Sequence, residues 1–366
     1  MGTSVIDRIE TWALPECLVV KVTDRDGATG WGQTAALASE VTAVALDRLV
    51  IPRVLGRAAD TRAVSEHVWN NAYKFRGSFL ARALAGVDTA LWDLAGKRAG
   101  APVWALLGAS AARDIPVYLS RRTRKTTPEE EIEGIRAEVA ANGYTAVKVQ
   151  VGWRLGGTVE GHEERTEQLI PALRAAFPQM RLSGDANGGY DPDAAIVTGR
   201  LMEAHDFYHF EEPCPFDDMI GTARVAKTLS MAVSGGEQDN DMGKFRVMAR
   251  DGVVDILQCD LAYIGGLSRC LQATTIAQEA GLPLMPHCPT MSMLQIFTLH
   301  LLTSLPDHTE AHEWRGRLDR QPWAEEIYTP LPEVHGGVTR APDGPGWGVE
   351  LNHDLLERSP YKDYRL

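Results

Sequence analysis

From residue 115 onward, the sequence alternates between short apolar stretches and longer segments whose apolar residues recur at helical spacing. Strands and helices that alternate with short turns are typical of a parallel sheet covered by helices. Eight such strands predict an α/β fold, a closed (β/α)8-type barrel. The predicted strands occupy residues 115–120, 146–151, 181–186, 207–211, 232–237, 256–260, 284–287 and 310–313, with helices at 129–142 and 164–177 among the segments between them.

The change of pattern divides the chain into three parts. Residues 1–112 are predicted to form a separate N-terminal α+β domain, because strands, a turn and long helical segments occur there without the regular alternation. Residues 113–331 are predicted to form the barrel. Residues 332–366 are rich in glycine and proline, and we predict that they leave the barrel and pack back on the first domain.

Two local patterns stand out in the first domain. A strand at 18–22, a turn at 24–27 and a second strand from Thr29 predict a hairpin. A helical pattern begins at Ser39, and its predicted apolar face comprises Val41, Val44, Ala45 and Leu49.

Composition excludes several classes of function. The net charge of −12 argues against a general nucleic-acid or membrane-surface role. Five cysteines without a Cys-x-x-Cys pair indicate reduced thiols in the cytoplasm rather than a disulfide framework or a zinc site. The N-terminus has no apolar signal region, and no apolar run is long enough to span a membrane. We therefore expect a cytoplasmic protein with no nucleic-acid or membrane partner.

Three of the predicted strands end in an acidic residue. These residues are Asp185, Glu211 and Glu237, each 26 residues from the next. Because the carboxyl ends of parallel barrel strands lie at one rim, we expect the three carboxylates to lie close together. Carboxylates held together repel each other unless a cation neutralises them, and hard oxygen ligands suit Mg²⁺. The alternative is that each acid only caps the helix that follows its strand.

The second predicted strand adds Lys148 and Gln150, which are two residues apart and therefore face the same way. Asp185 and Asn187 have the same spacing. We expect these side chains to point into the mouth of the barrel. A lysine at a strand end can equally be an ordinary solvated residue.

The ends of the sixth and seventh predicted strands supply Asp260 and His287. A carboxylate beside an imidazole fixes its tautomer and raises its basicity, which makes a general acid or base. Together with a bound cation, such a base suits removal of the weakly acidic proton next to a carboxylate, because the cation stabilises the enediolate that forms. Taken alone, His287 can also be a structural histidine.

Nearly the whole chain resembles the enolase superfamily, in its mandelate racemase/muconate-lactonizing subgroup. In the first domain the resemblance rests on AGVDTALWDLAGK at 85–97 and PVWALLG at 102–108, which resemble the junction between that subgroup's capping domain and barrel. In the barrel it rests on Lys148 with Gln150, 184–188, 211–213, Gly236 with Glu237, Asp260 before 264–266, and His287.

The resemblance implies roles for these residues. Asp185, Glu211 and Glu237 match the ligands of one Mg²⁺ ion. Asp260 and His287 match the general acid/base dyad, and Lys148 matches the first lysine of the family's Lys-x-Lys pair. Glu313 stands where an acid of the eighth strand often contacts substrate, and strand alternation is expected to turn Glu212 away from its neighbour Glu211.

The chain departs from the family pattern at Gln150. A glutamine cannot take a proton, so a racemase mechanism with two bases is not favoured. One base favours β-elimination of water from an acid sugar, with Lys148 and Gln150 holding the substrate carboxylate. We expect further contacts with a polar, carboxylate-bearing substrate from residues after the first barrel strand and in a capping loop, namely Arg121, Arg122, Lys125, Tyr73, Lys74 and Arg76, although these can also be solvated surface groups.

Three functions remain open on these grounds. The first is a Mg²⁺-dependent acid-sugar dehydratase, a lyase. The second is a cycloisomerase or epimerase of the same superfamily, with Lys148 as a possible second base. The third is a catalytically inactive metal-binding or regulatory protein. Barrels of this family often associate through their outer faces, so we also expect a homo-oligomer.

Overall fold

The structure is a computed structural model that describes residues 4–157, 162–305 and 310–366. The first three residues, which belong to the predicted N-terminal domain, lie outside these ranges. The described strands are β1 (Ile6–Ala13), β2 (Leu18–Asp24), β3 (Thr29–Gln33), β4 (Ile115–Ser120), β5 (Ala146–Gln150), β6 (Arg181–Asp185), β7 (His209–Glu211), β8 (Ala232–Gly235), β9 (Ile256–Leu257), β10 (His312–Arg315), β11 (Tyr328–Thr329), β12 (Val338–Thr339), β13 (Glu350–Leu351) and β14 (Tyr361–Arg365).

Helices separate most of these strands. The α-helices are α1 (Ser39–Ala45), α2 (Ile51–Val54), α3 (Thr61–Asn71), α4 (Ser78–Ala99), α5 (Val103–Leu106), α6 (Pro128–Asn142), α7 (His162–Ala176), α8 (Pro192–Ala204), α9 (Met219–Thr228), α10 (Met242–Asp251), α11 (Leu261–Ile264), α12 (Leu267–Ala280), α13 (Met293–Thr303), α14 (Pro322–Glu325) and α15 (His353–Glu357). Within the described ranges, no helix is both long enough and apolar enough to cross a membrane.

The parallel sheet predicted from the alternation is present. Its strands follow the order β10-β4-β5-β6-β7-β8-β9, so β4 to β9 are neighbours in chain order and β10 pairs with β4. Side chains at paired positions belong to one level of the barrel, and the register places Gln150 beside Asp185 and Asp185 beside Glu211. The fold is a (β/α)8-type barrel, which confirms the predicted fold class.

The seventh strand position is shorter than predicted. Residues 284–287 contribute two isolated parallel bridges, Leu257 to Leu284 and Asp260 to His287, rather than a continuous strand. The backbone N–H of Glu310 donates to the carbonyl of Leu284 at 3.3 Å, which links this position onward to the segment that leads into β10. The Asp260–His287 bridge matters most here, because it holds the two members of the predicted dyad side by side.

The N-terminal unit is built on an antiparallel sheet in the order β14-β1-β2-β3. The hairpin predicted at 18–33 is β2 and β3, which pair from Val19 with Gln33 to Thr23 with Thr29. The fourth strand, β14, comes from the far end of the chain and pairs with β1. The sheet is covered by α4, which is buried along most of its length.

The predicted apolar face of the helix beginning at Ser39 is half right. Ala45 is buried and Leu49 packs against the core, but Val41 and Val44 are 48% and 61% exposed. The buried face instead includes Thr42, Ala45 and Leu46, which have regular helical spacing. The helix is α-helical to Ala45 and continues as a π-helical turn over 46–50.

The N-terminal unit contacts the barrel through α4. The Trp92 indole N–H donates to the Ser268 hydroxyl at 3.0 Å, and the Ser268 backbone N–H donates to Asp88 at 3.0 Å. Gly266, with a φ of +103°, lies so close to Asp88 that a Cβ built on it would be 2.4 Å from the Asp88 carboxylate. A side chain at this position would therefore push the two domains apart.

Gly266→Ala is expected to lower the free energy of unfolding by about 1–3 kcal/mol, because both the left-handed backbone and the contact with Asp88 oppose a Cβ. Urea unfolding followed by circular dichroism measures this loss. Gly252→Ala is the matched control: Gly252 has a φ of +60° and open space around its Cβ, so it reports backbone strain alone. Equal losses in the two variants would show that the interdomain contact is unimportant.

Candidate active site

The carboxyl ends of the barrel strands bring the predicted acidic residues to one region. Asp185 is the last residue of β6, Glu211 is the last residue of β7, and Glu237 follows β8 by two residues. All three side chains are buried. Burial of several carboxylates is costly unless positive charge or hydrogen-bond donors compensate, so their partners define the chemistry of the site.

Lys148 is the cation at the centre of this group. Its ammonium group contacts Glu211, lies 3.4 Å from Glu313 Oε1 and 3.9 Å from Asp185 Oδ2, and is buried. Burial alone would lower the pKa of Lys148, but the charges of Glu211 and Glu313 outweigh it and raise the pKa well above its ordinary value. Lys148 is therefore a fixed positive charge in this structure.

Asp185 is held by a short chain of amide groups. Asn187 donates to both of its oxygens, from the backbone N–H at 2.8 Å and from Nδ2 at 2.9 Å. Gln150 Nε2 in turn donates to Asn187 Oδ1 at 3.1 Å. The predicted substrate-binding residues Gln150 and Asn187 thus belong to the same cluster as Asp185.

Glu211 has donors on both oxygens. Lys148 contacts Oε1, and Gln258 Nε2 donates to Oε2 at 2.6 Å. His209 Nε2 lies 3.6 Å from the same Oε2. Burial would raise the pKa of Glu211, but Lys148 and His209 outweigh it and lower the pKa to about 2. Glu211 is therefore ionised across the physiological pH range.

For Glu237 and Glu212, nearby positive charge does not outweigh the effect of burial on the pKa. Burial, with the charges of Glu211 and Asp185 adding to it and His287 opposing it, raises the pKa of Glu237 to about 7. Burial and the charge of Glu237 raise the pKa of Glu212 well above its ordinary value. Glu212 has a φ of +39°, so strand alternation does not describe its orientation. The cluster holds more negative than positive charge.

Asp260 and His287 form a hydrogen-bonded pair. His287 Nδ1 and Asp260 Oδ2 are 2.9 Å apart, and both residues are buried. Asp260 Oδ1 accepts from the backbone N–H groups of Ala262 and Tyr263 at 2.7 and 2.8 Å, which fixes the carboxylate at the start of α11. The other ring nitrogen, Nε2, is left to face the cluster.

The environment of His287 sets its basicity. Nε2 lies 3.4 Å from Glu237 Oε2. Burial lowers the pKa of His287, but Glu237 and Asp260 outweigh it and raise the pKa to about 9. A cation bound at Glu237 would remove much of that negative potential and lower the pKa again, so the protonation state of His287 depends on what occupies the cluster.

Glu313 completes the cluster from β10. It accepts from Ser120 Oγ at 2.7 Å and from the backbone N–H of Cys288 at 2.9 Å. Burial would raise the pKa of Glu313, but Lys148 and His287 outweigh it and lower the pKa well below its ordinary value. Glu313 is therefore an ionised acceptor between the first and seventh strand positions.

The donor chemistry of the cluster suits a divalent cation. Among the residues that the structure describes, no three acidic, histidine or cysteine side chains surround one common metal position. The cation that faces Asp185 and Glu211 is the Lys148 ammonium. The three predicted ligands nevertheless offer only carboxylate oxygens, and burial, with the charges of Glu211 and Asp185 adding to it, raises the pKa of Glu237. Hard oxygen donors with excess charge fit Mg²⁺.

Three of the predicted substrate contacts are not brought to the cluster. Arg121 Nε pairs with Glu131 at 3.0 Å and its Nη1 with Asp319 at 2.7 Å. Arg121 follows the last residue of β4 and its guanidinium is engaged by these two acids, so the prediction for Arg121 does not agree with the structure. Tyr73 is 62% exposed, and Lys74 lies 5.8 Å from its ring centre. None of the contacts of Tyr73 and Lys74 reaches the carboxylates.

Two residues in the cluster escaped the sequence analysis. Arg124 Nη1 donates to Asn187 Oδ1 at 3.0 Å, and Nη2 reaches the Asp185 carbonyl at 3.3 Å. The signal was the basic segment after β4: Arg122, which was predicted from it, lies close enough to Glu313 to lower the pKa of that acid, whereas Arg124 was passed over. Gln258, the donor to Glu211, was visible only as a polar residue at the end of a strand.

The fold and the site together define a capped barrel enzyme with a hydrogen-bonded aspartate–histidine pair facing a carboxylate cluster. Residues 131–355 match the family model for the enolase C-terminal domain-like fold. Residues 9–108 match the model for the mandelate racemase/muconate lactonizing enzyme N-terminal domain. The chain belongs to the mandelate racemase/muconate lactonizing enzyme family of the enolase superfamily, as the sequence resemblance predicted.

Relatives of this chain catalyse more than one reaction. Arabinonate dehydratase of Saccharolobus solfataricus is 28% identical, over 93% of this chain and 90% of that protein. The 3,6-anhydro-alpha-L-galactonate cycloisomerase of Streptomyces coelicolor is 30% identical, over 94% and 91%. Both matches span almost the full length of each protein.

Solved structures agree with the fold. A protein from Roseobacter denitrificans, provisionally named a racemase, is 38% identical with a TM-score of 0.94, covering 99% of this chain and 100% of that one. A racemase from Streptomyces coelicolor, solved with bound magnesium, is 26% identical with a TM-score of 0.83, covering 98% and 99%.

Proposed function

We propose that this protein is an acid-sugar dehydratase. It removes the proton next to the substrate carboxylate and then eliminates water from the neighbouring carbon, leaving a 2-keto acid after tautomerisation. The observation that carries the proposal is the His287–Asp260 pair, with Nδ1 and Oδ2 2.9 Å apart. The pair supplies one base. Across the cluster, Lys148 is held as a cation and Gln150 cannot take a proton, so neither supplies a second base.

The proposed steps use the free ring nitrogen of His287. Asp260 accepts from Nδ1, so Nε2 takes the α-proton and the resulting imidazolium is stabilised by the Asp260 carboxylate. The protonated ring then gives its proton to the departing hydroxyl group, which leaves as water. The same nitrogen therefore acts first as base and then as acid, which suits a syn elimination on one face.

The other side chains bind and orient the substrate. Lys148, with its raised pKa, is proposed to hold the substrate carboxylate as a cation rather than to act as a base. Gln150 and Asn187 are proposed to donate amide hydrogens to it. Glu313, ionised and fixed by Ser120, is proposed to accept from a substrate hydroxyl group. Because their donors are engaged or distant, we do not assign substrate contacts to Arg121, Tyr73 or Lys74.

Asp185, Glu211 and Glu237 are proposed to hold one Mg²⁺ ion. When bound, magnesium supplies positive charge that offsets the negative charge developing on the substrate carboxylate as the α-proton leaves. A magnesium-bound relative and the oxygen-only donor set support this assignment. The intact dyad argues against a catalytically inactive protein.

A cycloisomerase is the second candidate. It needs the same proton removal and differs only in what the new carbanion expels or accepts. The 30% identity with the 3,6-anhydro-alpha-L-galactonate cycloisomerase, against 28% with arabinonate dehydratase, favours keeping it. An epimerase would need a group that returns a proton to the opposite face; Lys148 carries one, but its raised pKa makes it a weak acid.

A screen of acid sugars in D₂O with added MgCl₂ distinguishes these functions. For the dehydratase we expect a 2-keto acid, one water lost per turnover, and chelation by EDTA to stop the reaction. Ring opening or closing without loss of water would indicate the cycloisomerase, and α-deuterium incorporation alone would indicate an epimerase. No reaction across aldonates, aldarates and their lactones would contradict both enzymatic proposals.

Gln258→Met is expected to weaken Mg²⁺ binding by about 10–100-fold, because Glu211 loses the donor that orients its Oε2. Isothermal titration with MgCl₂ measures the change without a substrate. Gln168→Met serves as control, since Gln168 is exposed and its Nε2 donates to Glu164 at 3.3 Å, away from the cluster. Unchanged Mg²⁺ affinity in Gln258→Met would show either that Glu211 is not a Mg²⁺ ligand or that Gln258 does not orient it.

A further inference from the structure

The strand β3 of the N-terminal domain ends in a glutamine whose side chain contacts the barrel. Gln33 Nε2 donates to the Ser292 hydroxyl at 2.9 Å, and Gln33 Oε1 accepts from the backbone N–H of Met293 at 3.2 Å. The three residues are only 2%, 0% and 0% exposed. Both ends of this side-chain amide therefore bind the barrel directly.

Gln33 is fixed from the other side by its own domain. Its backbone N–H donates to Thr89 Oγ1 of α4 at 3.2 Å, and it pairs with Val19 in the hairpin. The preceding residue, Gly32, packs so closely on α4 that a Cβ would not fit against the Gly86 carbonyl. The side chain of Gln33 therefore projects from a firmly packed support.

One of the two hydrogen bonds caps a helix of the barrel. The buried helix α13 begins at Met293, and the hydroxyl of its N-cap residue, Ser292, makes no capping hydrogen bond. The first N–H groups of a helix have no partner within it. Gln33 accepts from one of them, so the N-terminal domain supplies the acceptor that the N-cap residue does not.

The path from Gln33 to the dyad is short. Residues 288–292 connect His287 to α13, and within this loop Thr290 Oγ1 lies 2.7 Å from Ser292 Oγ. The sheet bridge to the sixth strand position holds the imidazole-bearing residue on one side. On the other side it is followed by a loop whose far end is bound by Gln33.

The N-terminal domain also reaches the dyad from a second direction. Arg82 Cζ, on α4, lies 3.6 Å from the centre of the Tyr263 ring, and that ring lies 5.7 Å from the His287 ring, centre to centre. This stacking does not involve the 288–292 loop. We therefore expect loss of Gln33 to displace His287 slightly rather than to release it.

We propose that Gln33 is a positioning residue for His287. Its two hydrogen bonds fix the loop that follows the imidazole, so that Nε2 keeps its place against the α-carbon of the substrate. A small misplacement of a reacting group lowers the rate of the chemical step more than it weakens substrate binding. The catalytic effect rests on the proposed function, whereas the ordering of the loop and of the start of α13 does not.

Hydrogen–deuterium exchange of the full-length protein tests the ordering without a substrate. Gln33→Met keeps the length of the side chain but removes both hydrogen bonds, and it is expected to speed amide exchange in residues 288–296 by about tenfold or more. Gln33→Glu keeps one oxygen for the N–H of Met293 and one for the hydroxyl of Ser292, so it is expected to restore slow exchange.

Kinetics with the acid sugar found in the screen test the positioning. In Gln33→Met we expect kcat to fall by about 10–100-fold with KM changed by less than about twofold. The kinetic isotope effect with α-deuterated substrate is expected to increase, and Gln33→Glu should recover both values. Ser292→Ala removes one of the two hydrogen bonds from the barrel side. It is expected to change exchange and kcat in the same direction, and it takes the place of Gln33→Met if that variant does not fold.

Ser268→Ala is the control, because it removes the hydrogen bond from Trp92 that joins the same two domains elsewhere. It should leave kcat, the isotope effect and the exchange of residues 288–296 as in the wild type. Unchanged exchange of 288–296 in both Gln33→Met and Ser292→Ala would overturn the proposal. So would faster exchange with an unchanged kcat and isotope effect, because the loop would then be ordered without positioning His287. A screen that finds no substrate would count against the proposed function and not against the ordering, which exchange measures directly.

Discussion

His287→Asn is expected to lower kcat by about 10³-fold or more, because asparagine keeps a hydrogen bond to Asp260 but cannot take a proton. The acid sugar identified by the screen serves as substrate, and both α-proton exchange in D₂O and product formation are measured. Mg²⁺ binding is expected to persist, since His287 is not among the proposed ligands. This separates loss of the base from loss of the site.

His335→Asn is the matched control for this substitution. The His335 imidazole is exposed on the surface and pairs with Glu333 at 2.9 Å, so its replacement should leave kcat unchanged. Turnover in His287→Asn within tenfold of the wild type would show that another group removes the proton. In that case the assignment of the dyad would have to be abandoned.

Lys148→Met is expected to lower the free energy of unfolding by about 3–5 kcal/mol in the absence of metal, because it leaves buried carboxylates without their cation. Glu211 and Glu313 both rely on this ammonium group. Urea unfolding in the presence of a chelator measures the loss. Added MgCl₂ should recover part of it, because a divalent ion neutralises the same carboxylates.

The surface pair of Lys362 and Asp47, 3.8 Å apart, provides the comparison. Lys362→Met should change stability by less than about 1 kcal/mol, as expected for an exposed ion pair. If Lys148→Met were no more costly than Lys362→Met, the charge of Lys148 would not hold the cluster together. A role as a second base would then regain support.

The parallel register explains why so much of the site could be predicted from the sequence. Acids at the ends of β6 and β7 fall at one level because neighbouring strands pair in phase, as Asp185 does with Glu211. The dyad could be predicted for the same reason, since Asp260 and His287 are bridge partners. Barrel geometry converts spacing along the chain into proximity in space.

Side-chain positions in loops are not set by strand register, and the predictions that depended on loops were less successful. Arg121 and Arg124 lie three residues apart after β4, yet the first pairs with Glu131 and Asp319 and the second reaches Asn187. Their orientations depend on the path of the backbone beyond the strand, which the sequence pattern does not specify. The same holds for Glu212, where a left-handed φ of +39° overrides strand alternation.

The exposed valines of α1 show a further limit. Val41 and Val44 lie in the regular α-helical part of the segment, before the π-helical turn over 46–50. Helical spacing fits two neighbouring stripes here, and the stripe that is buried contains Thr42, Ala45 and Leu46. Periodicity therefore predicted the helix and Ala45 on its buried face, but assigned the two valines to the wrong side.

The strand β14 is the last in the chain and pairs with β1, the first, with Arg8 Nε donating to Asp363 at 2.8 Å. The N-terminal domain, which packs against the barrel through α4, is thus assembled from two segments that are far apart in the sequence, with the barrel between them. Exchanging this domain between relatives would accordingly require replacing two distant stretches of gene, not one.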